Sequence, residues 1–124
     1  MHSININKNN TLILKKLFNV QLNNFVDDLL IIYKNDIDLK LFKLYIKKIN
    51  NSSTIFNKFS KNIDKNICNQ IILKNEKFFK ENNKKFYLFQ KINKKWDNLE
   101  KRNKDIFWQY LISLVNIHNR IINA

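Results

Sequence analysis

"DIFWQYLISLVNIHNRIIN", Asp105 to Asn123, decides the fold. On a helical wheel of about 100° per residue, Leu111, Leu114, His118, Ile121 and Ile122 fall within about 60° of Phe107. Tyr110, Val115 and Ile117 widen this apolar arc, and Trp108 lies at its edge. Gln109, Ser113, Asn116, Asn119, Arg120 and Asn123 fill the remaining third, with Ile112 misplaced among them. An arc of roughly 200° is wider than the stripe of a peripheral helix. The segment therefore reads as a central helix touching several others. His118 sits near the middle of the arc, where a neutral imidazole bonded to a backbone or hydroxyl group is expected.

The rest of the chain supplies the neighbours. From Thr11 the pattern turns helical: Phe18, Leu22, Phe25, Leu29 and Ile32 form one stripe, with Lys16, Asn23 and Asp27 on the other side. That helix ends near Lys34 and Asn35. Asp36 then reads as an N-cap and Asp38 as negative charge favoured by the dipole of a second helix, whose inner stripe is Leu39, Phe42, Ile46 and Ile49. "NNSST" (Asn50 to Thr54) is a loop, with Ser53 as the expected cap of a third helix carrying Ile55, Phe59, Ile63 and Ile67. "CNQIILKNEKFFKENNKK" reads as one or two short helices broken near Lys74 and Asn75. A further helix from Phe86 places Phe89, Ile92, Trp96 and Leu99 inside, and the chain turns again between Asn98 and Asn103. "KKFYLFQKI" has β-propensity, but its flanks continue the helical period. The expectation is all-α: a compact bundle of five or six helices with the C-terminal helix central. Residues 1–10 read as a flexible N-terminal tail and 11–124 as a single helical domain.

Composition sets the terms for everything else. The 124 residues include no Gly and no Pro, where ordinary usage would give roughly nine and six. Asn, Lys, Ile and Phe are in excess. Residues with G- and C-rich codons are depleted and those with A- and T-rich codons abound, which points to an AT-rich genome. Turns must then rest on Asn, the next residue to tolerate left-handed backbone and a good helix cap. The net charge of +13 is carried almost entirely by Lys, since Arg102 and Arg120 are the only arginines. Such a charge attracts polyanions and keeps a basic protein soluble. Codon bias accounts for part of it, and a phosphate-gripping surface often uses Arg forks as well.

Several chemistries are disfavoured. Cys68 is the single cysteine, so no intramolecular disulfide forms, and a reducing, intracellular location is expected rather than secretion. "MHSININKNN" has no signal-peptide pattern, and no apolar run reaches about 18 residues, so no membrane span is expected. With only His2 and His118 as imidazoles, neither a nucleophile–base pair nor a structural zinc site is expected. No Gly-rich phosphate loop can exist. Neither catalytic, metal nor cofactor-binding residues are assigned, and a non-enzymatic protein without cofactor is expected. A polyanion-binding face is the chief surface candidate, formed by Lys40, Lys43, Lys47, Lys91, Lys94, Lys95, Lys101 and Arg102. Aromatics interleave with lysines between Lys77 and Lys104, while Glu76, Glu81, Asp97, Glu100 and Asp105 interrupt the charge. Membrane-surface binding is disfavoured, because no helix is read as pairing a strong basic face with an exposed apolar one.

Two stretches carry a resemblance. "FNVQLNNFVDDLLIIYKNDIDLKLFK" (Phe18 to Lys43) and "WDNLEKRNKDIFWQYLISL" (Trp96 to Leu114) resemble the two ends of a small helical family encoded by giant viruses of the nucleocytoplasmic large DNA virus group. The pattern is F-N-x-Q-L-x-x-F-x-x-D-L, then D-x-D-L-x-x-F-K, then W-x-x-L and N-K-x-x-I-W-K-Y-L. It matches at Phe18, Asn19, Gln21, Leu22, Phe25, Asp28 and Leu29, and at Asp36, Asp38, Leu39, Phe42 and Lys43. At the other end it matches at Trp96, Leu99, Asn103, Lys104, Trp108, Tyr110 and Leu111, with Phe107 in place of Ile and Gln109 in place of Lys. The resemblance implies no particular activity and no cofactor. It implies a location in the host cytoplasm or the virion, and the first expectation is a non-enzymatic helical protein that binds a viral or host protein or serves inside the particle. The alternative from the residues themselves is a basic accessory protein that binds nucleic acid through Lys-rich faces.

Overall fold

Four helices of this chain start on an Asn or Asp side chain. The computed structural model describes residues 2–81 and 96–123, and within them the chain is all helix and turn, without a strand. The helices are α1 (His2–Ile32), α2 (Ile37–Ile49), α3 (Ser52–Ser60), α4 (Lys65–Ile72), α5 (Glu76–Glu81) and α6 (Lys101–Ile122), with a 3-10 turn at Trp96–Asn98. Asp36 accepts the Leu39 N–H at 3.1 Å, Asn51 that of Thr54 at 3.0 Å, Asp64 that of Ile67 at 2.8 Å and Asn75 that of Phe78 at 3.2 Å. Each bond satisfies a first-turn amide that no carbonyl of its own helix can reach, stabilising the helix by about 1 kcal/mol. Left-handed backbone follows the same economy. Asn50 (φ 43°) closes α2, its N–H donating to the Ile46 carbonyl, and Lys74 (φ 54°) closes α4. At the second site Lys74 N–H donates to Ile71 O at 2.9 Å and Asn75 N–H to Gln70 O at 3.0 Å. These are the paired bonds of a Schellman ending, with lysine where glycine usually sits.

Three local expectations change. The cap of α3 is Asn51, not Ser53: the helix begins two residues earlier, at Ser52, and Ser53 lies within its first turn. The stripe Ile55, Phe59, Ile63, Ile67 does not lie on one helix. It breaks at residues 61–64, because Asp64 caps a new helix and Ile63 fills the corner between them. The backbone of α1 is helical from His2, well before Thr11, since a polar segment can extend a helix without an apolar stripe to announce it. Of the helix expected from Phe86, only Trp96 to Leu99 lie among the described residues, and Trp96–Asn98 is the 3-10 turn.

The core is organised around α1 and α6. These two make the most extensive contact; α1 also packs on α3 and α2, and α6 on α4. The α1 stripe Phe18, Leu22, Phe25 and Leu29 is buried, joined by Val26. On α6, Phe107, Trp108, Leu111, Leu114, Val115, Ile117, His118 and Ile121 are buried, nearly the arc read from the wheel. Ile122, which the wheel placed on the arc, is exposed. Edge-on contacts of Phe18 with Phe56 (5.3 Å) and Phe59 (5.1 Å) seat α3 on α1. Each such aromatic contact adds about 0.5–1.5 kcal/mol beyond the area it buries.

Candidate functional site

The two ends of the chain meet along the α1–α6 seam, in antiparallel register. Gln21 Nε2 donates to Ser113 Oγ at 2.8 Å across 92 residues of sequence. One turn on, the Phe25 ring stacks on Tyr110, centroids 5.0 Å apart and planes at 15°, and tilts against Phe107 at 5.9 Å. The next rung is polar: the Tyr110 hydroxyl donates to Asp28 Oδ2. Partial burial first, and then the Asp28 carboxylate it bonds, push the Tyr110 phenol up to about 12. A charged acceptor makes this hydrogen bond stronger than a neutral one.

A second cluster surrounds Trp96, which has no exposed surface. Its ring meets Trp108 edge-on at 5.7 Å and tilts on Phe107 at 6.2 Å. Its Nε1–H donates to Glu76 Oε1, tying α5 to this corner. Lys104 lies 5.4 Å over the Trp96 ring and 3.8 Å from Glu76. Lys80 reaches Asp97 at 2.7 Å, and this bond holds the Asp97 carboxyl below its ordinary range. These contacts lock α5 and the 3-10 turn to the start of α6.

The resemblance positions therefore belong to packing and turns. Phe18, Trp96, Trp108 and Leu111 are core, and Phe42 is half-buried against it. Gln21, Asp28 and Tyr110 are rungs of the seam, and Asp36 is a cap. Asp38 is exposed in the first turn of α2, where the helix dipole favours its charge. Asn103 is half-buried in the first turn of α6, its N–H donating to the Glu100 carbonyl at 3.0 Å.

The residues of the expected polyanion face are divided among α2, the start of α6 and positions outside the described residues. Lys40 and Lys47 are exposed on α2, while Lys43 pairs with Asp27. Lys101 and Arg102 are exposed at the start of α6, and α2 packs on α1 and α3. Lys91, Lys94 and Lys95 lie outside the described residues.

The titratable core groups are committed to structure. Ser60 Oγ lies 3.0 Å from His118 Nε2 and Asn119 Oδ1 3.4 Å from Nδ1. A neutral ring satisfies both, with Nδ1–H facing Asn119 and Nε2 accepting the Ser60 hydroxyl. Burial lowers the His118 pKa, and the Asn119 bond only partly opposes this. Both ring nitrogens are occupied, so His118 cannot serve Cys68 as a base in this arrangement. Burial, then the nearby Asp64 charge, raises the Cys68 thiol pKa, which disfavours the reactive thiolate. Among the described residues no group of three His, Cys, Asp or Glu side chains is arranged to hold a metal, and no helix is long and apolar enough to cross a membrane.

Two surface features escaped the sequence reading. One is an open groove of about 450 Å³ between α1 and α6, with Leu17, Ile112 and Ile117 among its apolar walls, Gln21 and Ser113 at the seam, and Lys74 and Arg120 contributing cations. Ile112, the residue the wheel misplaced, belongs to this wall. The other is a second apolar row on α2. Ile37, Leu41 and Leu44, spaced i, i+4, i+7, are all exposed, with Tyr45 beside them. This row lies opposite the inner stripe of Leu39 and Ile46 and next to Lys40, Lys47 and Lys48. It corrects the expectation that no helix pairs exposed apolar residues with a basic face. Its spacing was available in the sequence, but attention to the inner stripe hid it. No family model, curated protein or solved structure matches the chain.

Proposed function

We propose that this chain is a non-enzymatic helical interaction protein of a large DNA virus, binding a viral or host protein or acting within the particle. Its composition and the resemblance at both ends support the viral reading. The observation that carries the interaction reading is the outer side of α1. Ile13, Leu17 and Val20 are exposed at i, i+4, i+7 spacing, and Leu17 also lines the α1–α6 groove. At about 1.5 Å per residue α1 is about 46 Å long, and among its described side chains the buried stripe begins at Phe18. Ile13, Leu17 and Val20 therefore offer an apolar ridge that the described bundle leaves uncovered. Lys74 and Arg120 at the groove favour a partner helix that carries acidic residues beside an apolar face. The described lysines give less support to nucleic-acid binding, because Lys43, Lys80 and Lys104 are each drawn to an acid of the chain itself.

The test is affinity purification from infected cells with mass spectrometry, with and without nuclease, on the parent and on an Ile13→Glu/Val20→Glu variant. A protein partner that survives nuclease and is lost in the variant supports the reading. Partners that disappear with nuclease treatment would overturn it in favour of the basic accessory protein.

A further inference from the structure

The outer row of α2 is distinct from the α1 ridge, and its chemistry differs. Ile37 is 70% exposed, Leu41 57%, Leu44 61% and Tyr45 46%. At about 100° per residue these four span roughly 100° of the α2 surface, and Lys48 projects from the same arc one turn beyond Leu44. Lys40 and Lys47 lie along one margin, with Lys43, held by Asp27, behind them. The opposite margin carries Asp38. From α3, Lys58 Nζ donates to Tyr45 Oη at 2.7 Å and sits 5.5 Å from the centre of its ring. A cation on a neighbouring helix thus stands at the polar tip of the aromatic residue that ends the row. Among the described residues no ion pair engages Lys40, Lys47, Lys48 or Lys58.

We propose that α2 docks this protein flat onto an anionic lipid bilayer. The apolar row enters the boundary between headgroups and acyl chains, and the lysines meet lipid phosphates and carboxylates around it. The row is a convex ridge on one short helix, which a deformable bilayer accepts at full length. A second copy of the chain is disfavoured, because an antiparallel pairing of two such rows would bring their Lys40 and Lys47 margins together, and a parallel one would set the two Lys48 side chains against each other. Lysine stems can lie along the apolar row while their ammonium groups reach outward to the headgroup layer. A tyrosine with a cation at its hydroxyl suits that same depth. The outer row needs no partner to complete the fold, since α2 already buries Leu39 and Ile46 against its neighbours.

Binding of the full chain to vesicles of phosphatidylcholine and phosphatidylserine in a three-to-one ratio, measured by co-sedimentation, tests the proposal against pure phosphatidylcholine. The parent should bind the mixed vesicles and not the neutral ones. Leu41→Gln/Leu44→Gln should weaken binding about a hundredfold, as expected from burying two leucines. Lys40→Gln/Lys47→Gln/Lys48→Gln should weaken it similarly, at roughly fivefold per lysine. Leu44→Trp should gain emission that brominated acyl chains quench, whereas the buried Trp96 and Trp108 remain unquenched. A protein carrying +13 could adhere to anionic vesicles by charge alone. Binding that survives Leu41→Gln/Leu44→Gln, with no quenching of the new tryptophan, would mean that and overturn the proposal. So would failure to bind the mixed vesicles, including the case where the same leucines instead drive dimerisation in sedimentation equilibrium or are required only for capture of an acidic protein. The α1 variant Ile13→Glu/Val20→Glu should bind vesicles like the parent, so this proposal and the protein-partner reading fail independently.

Discussion

Helices α2 and α6 are both rich in apolar side chains, yet they meet opposite fates. On α6 the apolar residues form one wide arc, and α1 and α4 cover nearly all of it. On α2 they form two opposed rows, of which only Leu39, Ile46 and their neighbours turn inward. A helix with helices on one side can bury one arc. A second row facing away stays in solvent however apolar it is. The contrast teaches that the angular arrangement of apolar residues, more than their number, separates core from surface. Truncation of Phe107, fully buried between Phe25 and Trp96, makes the hardest test of that contrast. Phe107→Ala should cost about 3–5 kcal/mol in urea unfolding, from lost burial plus the cavity left behind. A loss near 1 kcal/mol would mean that α6 is not the packed centre described here.

The seam sets the next scale of effect. Tyr110→Phe removes the bond to Asp28 and leaves a half-buried carboxylate short of a donor, for an expected loss of about 1.5–3 kcal/mol. The parent should also lose stability in alkali. Its folded phenol titrates at about 12, above an ordinary value of 10.0. The contribution is therefore complete below the unfolded pKa and lost as pH rises through the folded one. Tyr110→Phe should lack that part of the alkaline decline; identical profiles would remove the seam bond from the account.

His118 acts at the other end of the pH scale. Its folded pKa lies below the ordinary value of 6.5 because the ring is buried. Its contribution is present above the unfolded pKa and is lost as pH falls through the folded one. His118→Gln, unfolded at about pH 5 and about pH 8, should show a smaller drop in stability toward acid than the parent. An equal drop would show that protonation of this ring has no hold on the fold.

The difference between the two helices also explains what could be read from the residues alone. The α6 arc, the α1 stripe, the Asp36 cap and the break near Lys74 were legible because each is local, a matter of period or of one capping side chain. Asn50 and Asn51 were legible as a loop, but which residue capped α3 depended on where the helix began. The split at Asp64 was hidden because Ile55, Phe59, Ile63 and Ile67 keep a helical spacing across it. The pairings of Gln21 with Ser113 and Asp28 with Tyr110 depend on how two distant helices align, and no spacing within either segment encodes that alignment. The spacing between the lysines of α2 and those of α6 depends on the same alignment, which charge alone does not encode.

The smallest predicted effect isolates the second row of α2. Leu41→Gln/Leu44→Gln exchanges apolar for polar side chains of similar helix propensity at positions that are mostly exposed. Removing them from solvent contributes little to folding, so stability should stay within about 0.5 kcal/mol of the parent by urea unfolding. A core row of equal composition could not tolerate the exchange. A loss above about 2 kcal/mol would mean that the row is covered within the protein, making α2 a second α6. Unchanged stability leaves four exposed apolar side chains with no role in holding the fold, and their effect should then appear only where the protein meets a surface.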